Sequence, residues 1–255
     1  MNGCPFLHSL RRAGGGLRRR PRDYTTYSTY ERRISLAVIC NYGNMRGGPS
    51  WAAKKTALPN YGVSMKITNT IFYLFGFRGI GKLTISLEIQ KIIPAILVDN
   101  QFINNVVFGL IDPDGISPLP EQVWRNTRRV RKVVLDTIRD LSRPERNFIF
   151  TNELIEGSLP DQEVFGKIAS MAIHREAFFF PIRLLISPEE QCRRVVSPER
   201  KAKFKNTDAV SALAQTQKYE VMRPLVPYFE LNISALSAAE SAMEIVRALE
   251  QRYRF

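Results

Sequence analysis

From Met65 onward, hydrophobic and polar positions alternate between two periods, and the elements they predict run strand, helix, strand, helix to the C-terminus. Thr70 to Phe75 is an apolar run closed by Gly76 and predicts a buried strand. Gly81 to Lys91 has helical spacing, with Leu83, Leu87 and Ile89 inward and Gln90 and Lys91 outward. Ala95 to Val98 predicts a second short strand, opened after Pro94 and closed by Asp99-Asn100, which suits the start of a helix over Gln101 to Leu110. Leu119 to Leu141 is the longest helical segment, with Val123, Val130, Val134 and Ile138 on one side. Asn147 to Phe150, Phe178 to Ile186 and Phe229 to Ile233 read as further strands, with Phe178-Phe179-Phe180 as core. Helices are expected over Asp161 to Arg175 (Val164, Ile168 and Met171 inward), Pro188 to Arg194, Asp208 to Met222 and Ala238 to Arg252. Strands separated by helices imply an α/β fold, a five-stranded parallel sheet covered on both faces.

Composition and charge change the picture mainly at the front of the chain. A length of 255 residues allows one substantial domain with an appendage, and 44% hydrophobic residues exclude a wholly disordered chain. No apolar run approaches the roughly 18 residues of a membrane-spanning helix, and Thr70 to Phe77 is cut off by Arg78 and Lys82. Three distant cysteines, Cys4, Cys40 and Cys192, suggest neither a disulfide framework nor a zinc site, so a reducing compartment and a cytoplasmic location are expected. The net charge of +13 is concentrated in residues 1–64, which hold 11 Lys+Arg and 2 Asp+Glu. With Gly14-Gly15-Gly16, Arg18-Arg19-Arg20 and few apolar residues, this segment reads as a disordered basic extension to a domain over 65–255. It suits an organelle transit peptide, a phosphate-binding arm, or sequence outside the native unit ahead of Met65; a nucleic-acid partner is not expected.

The first strand and first helix are joined by Gly76-Phe77-Arg78-Gly79-Ile80-Gly81-Lys82-Leu83-Thr84. This is the spacing of a phosphate-binding loop. Its glycines let the backbone turn tightly so that amide hydrogens surround phosphate oxygens, and the helix that follows points its positive end at the same anion. Lys82 supplies a point charge for the terminal phosphates. The residue after the lysine is ordinarily Ser or Thr, whose hydroxyl coordinates magnesium; here it is Leu83, which has no oxygen to offer. Thr84 stands about 100° further round the helix and does not replace that ligand without a local shift. Either water and carboxylates alone hold magnesium, or transfer is impaired.

Together with Leu97 to Asn105 (LVDNQFINN), Phe150-Thr151-Asn152 and Arg193 to Arg200 (RRVVSPER), the loop resembles the small P-loop kinase-like proteins often labelled AAA-family ATPases, which are similar to shikimate kinase and chloramphenicol phosphotransferase. The resemblance runs from about residue 67 to the C-terminus. It implies a three-layer P-loop NTPase fold of the nucleoside and shikimate kinase type, ATP and Mg2+ as cofactors, a small hydroxylated acceptor, and a mobile lid over about 192–208. On that footing Gly76, Gly79, Ile80, Gly81, Lys82, Leu83 and Thr84 hold the nucleotide, and Lys82, Asp99, Arg193, Arg194 and Arg200 are the catalytic candidates.

Asp99 falls where the second strand ends, at the sheet edge that binds ligands in open parallel sheets; it suits proton acceptance from a hydroxyl, and also capping of the next helix. A closing lid arginine neutralises charge spread over the transferring group's oxygens. Asn152 suits ordering a water or phosphate oxygen, and equally an ordinary loop position. Arg125, Arg128, Arg129, Arg131 and Lys132 recur all round a long helix and are expected to be solvated. His174 and Cys192 lack metal-ligand spacing, and Asn232 to Ser237 is where related kinases meet the purine through backbone. The expectation is an ATP-dependent kinase acting on a small molecule's hydroxyl; the alternative is a nucleotide-binding protein without efficient transfer.

Overall fold

The computed structural model describes residues 66–113, 117–196 and 209–253. Arg200, most of the expected lid and the readings made for residues 1–65 lie outside them. Five strands, β1 (Thr70–Phe75), β2 (Ala95–Asp99), β3 (Asn147–Asn152), β4 (Phe178–Leu185) and β5 (Phe229–Asn232), form one parallel sheet in the order β2-β3-β1-β4-β5. The helices are α1 (Lys82–Ile92), α2 (Asn100–Phe108), α3 (Glu121–Leu141), α4 (Leu159–His174), α5 (Pro188–Val195), α6 (Ala209–Lys218) and α7 (Ala238–Tyr253).

β1 is apolar at nearly every position because it has no solvent face: all six residues are buried between β3, β4 and two helical layers. Tyr73 and Phe75 point to one layer, where their rings meet Phe165 of α4. Phe72 points the other way and packs edge-on to Phe180, whose ring lies under Arg252 of α7. α1 packs against α7 on that side, and α3 against α4 on the opposite side. This is the three-layer architecture expected, with the strand order reversing at β1.

One side chain levels the sheet at its amino-terminal edge. Asn147, 3% exposed, accepts a hydrogen bond from Thr70 N (3.0 Å) and donates to Ile67 O (2.9 Å) and Pro94 O (3.0 Å). It therefore ties together the approaches to β1, β2 and β3. Arg175 does comparable work for α3, donating to the carbonyls of Ser142 and Arg143 and stacking on Phe148.

Several expectations change in detail. On α1 the inward residues are Ile85, Ser86 and Ile89, while Leu87 is 42% exposed and Leu83 only half-buried. Contact with α7 and the sheet selects the Ile85–Ile89 stripe, four residues apart, over the Leu83–Leu87 stripe beside it. The helix expected to reach Met222 stops at Lys218, because Val221 bridges antiparallel to Ile155 and Met222 N donates to Leu154 O at 3.0 Å. That pairing brings the chain after α6 back onto the loop that follows β3.

Candidate active site

The loop from Gly76 to Gly81 leaves the carboxyl end of β1 and enters α1. Its course is fixed by what surrounds it. A Cβ on Gly76 would stand 2.6 Å from Leu184 O, and one on Gly79, whose φ is +82°, would stand 2.3 Å from Val195 Cγ2. Only glycine fits either position without displacing a neighbour. Ile80 is fully buried and anchors the turn, and Gly81 occupies the left-handed N-cap of α1. The backbone is thus held close-packed against Leu184 and Val195 and leads directly into the amide-rich start of α1. Lys82, the first residue of α1, curls back so that Nζ donates to Gly76 O and Phe77 O, both at 2.7 Å.

Much of this bracing comes from α5, where Gln191, Arg194 and Val195 share one face. Gln191, fully buried, donates from Nε2 to Arg78 O at 2.9 Å, and Val195 closes over Gly79. Arg194 donates from Nη1 to Ile80 O (2.9 Å) and from Nη2 to Ile233 O (3.0 Å) and Leu236 O (3.2 Å), so it links the loop after β1 to the segment after β5. Its Nε donates to Glu190 Oε1 at 2.6 Å. Arg193, on the solvent side, makes a two-pronged pair with the same carboxylate at 2.6 Å. Hydrogen bonds from Arg193 and then Arg194 hold the Glu190 carboxyl down at about 2. The two arginines read as lid candidates therefore do different work: Arg194 is a strut inside the site, and Arg193 is three-quarters exposed at its rim.

Asp99 stands at the carboxyl end of β2, opposite Thr151 on β3, and β3 separates it from β1. Two strand spacings put it about 10 Å to the side of the loop after β1. Its Oδ1 accepts from Gln101 N (3.0 Å) and from Thr151 Oγ1 (2.8 Å), so it caps α2 at the carboxyl edge of the sheet. The capping and functional readings of Asp99 are compatible. Asn152 ends β3 beside Phe75 and is buried.

Arg131 departs from the expected solvated ring of α3. Arg125, Arg128, Arg129 and Lys132 are exposed, whereas Arg131 turns inward and donates from Nη2 to Asn100 Oδ1 at 2.8 Å. Burial lowers its pKa from the ordinary value, with the Tyr73 phenol opposing that shift. Charge alone predicts exposure for arginine, so only the packing of α3 against α2 reveals this position. His174 is exposed and Cys192 half-buried, and among the described residues no group of three or more His, Cys, Asp or Glu is placed to hold a metal. No described helix is long and apolar enough to cross a membrane.

No protein-family model matches the chain, and no curated protein matches it in sequence. Solved structures do. A candidate kinase from Chloroflexus aurantiacus is 14% identical, with a TM-score of 0.51 over 74% of this chain and 99% of that one. A sugar kinase from Janibacter sp. HTCC2649 is also 14% identical, with a TM-score of 0.50 over 71% of this chain and 95% of that one. Shikimate kinase from Aquifex aeolicus is 12% identical, with a TM-score of 0.42 over 72% and 99%. The first two likenesses carry the fold alone: a five-stranded parallel α/β sheet covered by helices.

Proposed function

We propose that the chain is an ATP-dependent phosphotransferase that moves the γ-phosphoryl group to a hydroxyl of a small molecule. The observation that carries this reading is the loop between β1 and α1, where Gly76 and Gly79 admit no Cβ and Lys82 folds over the turn. Such a cradle fits a polyphosphate: backbone amides meet its oxygens, and the ammonium exchanges two loop carbonyls for the terminal phosphates. The purine would lie toward the segment after β5, which Arg194 ties to the loop.

In the transfer, the acceptor oxygen forms a bond to the γ-phosphorus as the bond from that phosphorus to the bridging oxygen breaks, and ADP leaves with the electron pair. The hydroxyl proton passes to the carboxylate of Asp99, which the Thr151 hydroxyl and Gln101 amide orient. Arg193, at the rim, and Arg200 are the candidates for meeting the equatorial oxygens, while Arg194 keeps the loop and base-side segment in register.

Magnesium fits less well. Leu83 is half-buried at the position where a hydroxyl is wanted, Thr84 is exposed beside it, and among the described residues no acidic cluster takes over. Leu83 favours a second reading, a nucleotide-binding protein that transfers slowly or not at all.

Calorimetry with ATP on the full chain and on Lys82→Ala tests the first premise. Loss of a charge-assisted contact of about 1.5–3 kcal/mol weakens ATP roughly 10- to 150-fold. Absence of ATP heat refutes nucleotide binding, and an unchanged Kd in Lys82→Ala refutes its placement on this loop. Single-turnover transfer from labelled ATP across hydroxylated acceptors, with and without magnesium, separates the two readings: tight binding without transfer under any condition defeats the kinase.

A further inference from the structure

β4 and β5 lie on the other side of β1 from Asp99, and residues at their carboxyl ends line a cavity of about 460 Å³. That is the size of a small-molecule site. Phe77, Leu185 and Pro188 supply apolar lining, and Thr216 lines it from α6. Neither Asp99 nor the segment after β5 is among the lining residues, so the cavity is separate from the acceptor and purine positions proposed above.

The polar lining centres on one ion pair. Arg183, 5% exposed, faces Glu230 across the β4–β5 register. Its Nη1 donates to Glu230 Oε2 at 2.5 Å and its Nη2 to Val221 O at 2.9 Å; Nε is buried and has no hydrogen-bond partner among the described residues. A guanidinium has five N–H groups, so these bonds leave donors to spare. The Glu230 side chain is 46% exposed, which keeps the acidic end of the pair open. Replacing a buried ion pair by apolar residues is often neutral or stabilising, so strand pairing alone gives no reason for a charged pair at this register. A buried donor without a partner is uncommon, and beside a cavity it points to a ligand that supplies the acceptor. Glu220 and Arg223, both exposed and paired at 3.0 Å, complete the charged lining. Two arginines face two glutamates, and their charges cancel. A simple anion on Arg183 would stand against Glu230, and a simple cation on Glu230 against Arg183. A molecule with both charges suits both residues.

We propose that this cavity is a second binding site, for a small zwitterion of the α-amino acid kind. Its carboxylate accepts from the Arg183 guanidinium, its ammonium donates to Glu230, and its apolar side chain packs against Phe77, Leu185 and Pro188. The site stands on its own lining and does not depend on the phosphotransfer reading.

The test follows thermal unfolding of the full chain with the apolar α-amino acids, each set against its N-acetyl derivative, which lacks the ammonium, and its carboxamide, which lacks the carboxylate. At least one amino acid, at roughly ten times its Kd, is expected to raise Tm by about 3 °C. Both of its derivatives are expected to bind roughly tenfold or more weakly, since each loses a charge-assisted contact. Two variants separate recognition from folding. Thr216→Phe keeps the ion pair and fills the cavity from α6, so the shift should disappear. Glu230→Gln removes the partner of the ammonium and leaves the charge of Arg183 uncompensated, so preference should invert toward the N-acetyl anion, a change that a purely structural pair would not produce. The same titrations are run with a non-hydrolysable ATP analogue at saturation, and the shift should persist. No shift by any amino acid, equal shifts by the derivatives, a shift that survives Thr216→Phe, an unchanged preference in Glu230→Gln, or displacement by the analogue overturns the assignment.

Discussion

Replacing Gly79 by alanine adds one methyl group to the turn between β1 and α1, and the structure divides its cost into two separable parts. The first is conformational: φ is +82°, in the left-handed region that costs an L-residue about 1–2 kcal/mol. The second is steric: the new Cβ would stand 2.3 Å from Val195 Cγ2, far inside contact distance, and such overpacking costs about 1–3 kcal/mol. Gly79→Ala should therefore lower unfolding stability by roughly 2–5 kcal/mol, a large share of a typical domain's total. Val195→Ala removes the offending methyl and alone costs about 2 kcal/mol, because Val195 is fully buried. In the double variant only the conformational part of the glycine substitution should remain, which leaves a coupling of about 1–3 kcal/mol. Urea unfolding of the four proteins, followed by fluorescence and circular dichroism, measures that cycle. If the two substitutions add within about 0.5 kcal/mol, α5 does not press on the phosphate loop and the bracing argument fails.

Two other predictions address the same scaffold. Arg194→Ala should lose about 2–4 kcal/mol of stability by leaving the carbonyls of Ile80, Ile233 and Leu236 without their donor, and Arg194→Lys should restore little, since an ammonium cannot span three separated acceptors; urea midpoints of the three proteins decide this. Glu190, with its carboxyl held near 2 against an ordinary 4.5, favours the folded state above about pH 4.5 and loses that contribution as pH falls toward 2. Glu190→Gln should be less stable than the parent at pH 7 but show a shallower decline between pH 4.5 and 2, and parallel pH profiles would rule out this role.

The sheet and the glycine-constrained turn after β1 were legible in the sequence for the same reason: both demand residue types that serve few other purposes. A continuous apolar run such as Thr70 to Phe75 suits a strand buried on both faces, and three glycines before a lysine suit a turn around an anion. Legibility ends where the answer depends on which neighbour an element meets. Leu83 and Leu87 fit an inward stripe as well as Ile85 and Ile89, and only the position of α7 decides between them. Arg131 carries a charge that predicts solvent exposure, yet α2 presents an amide to it. Arg194 reads in the sequence as one of three lid arginines, and its attachment to three carbonyls from two distant segments has no signature in the local sequence.

Asn147 gives the molecule a division of labour between its two ends. With three strands started from a common datum by one buried amide, the loops at the far edge need not contribute to alignment, and their residues can be chosen for chemistry alone. A lesion at this asparagine would then do most of its harm some 17–20 Å away, the length of a strand, by shifting Asp99 and Gly76 against each other along the strand axis.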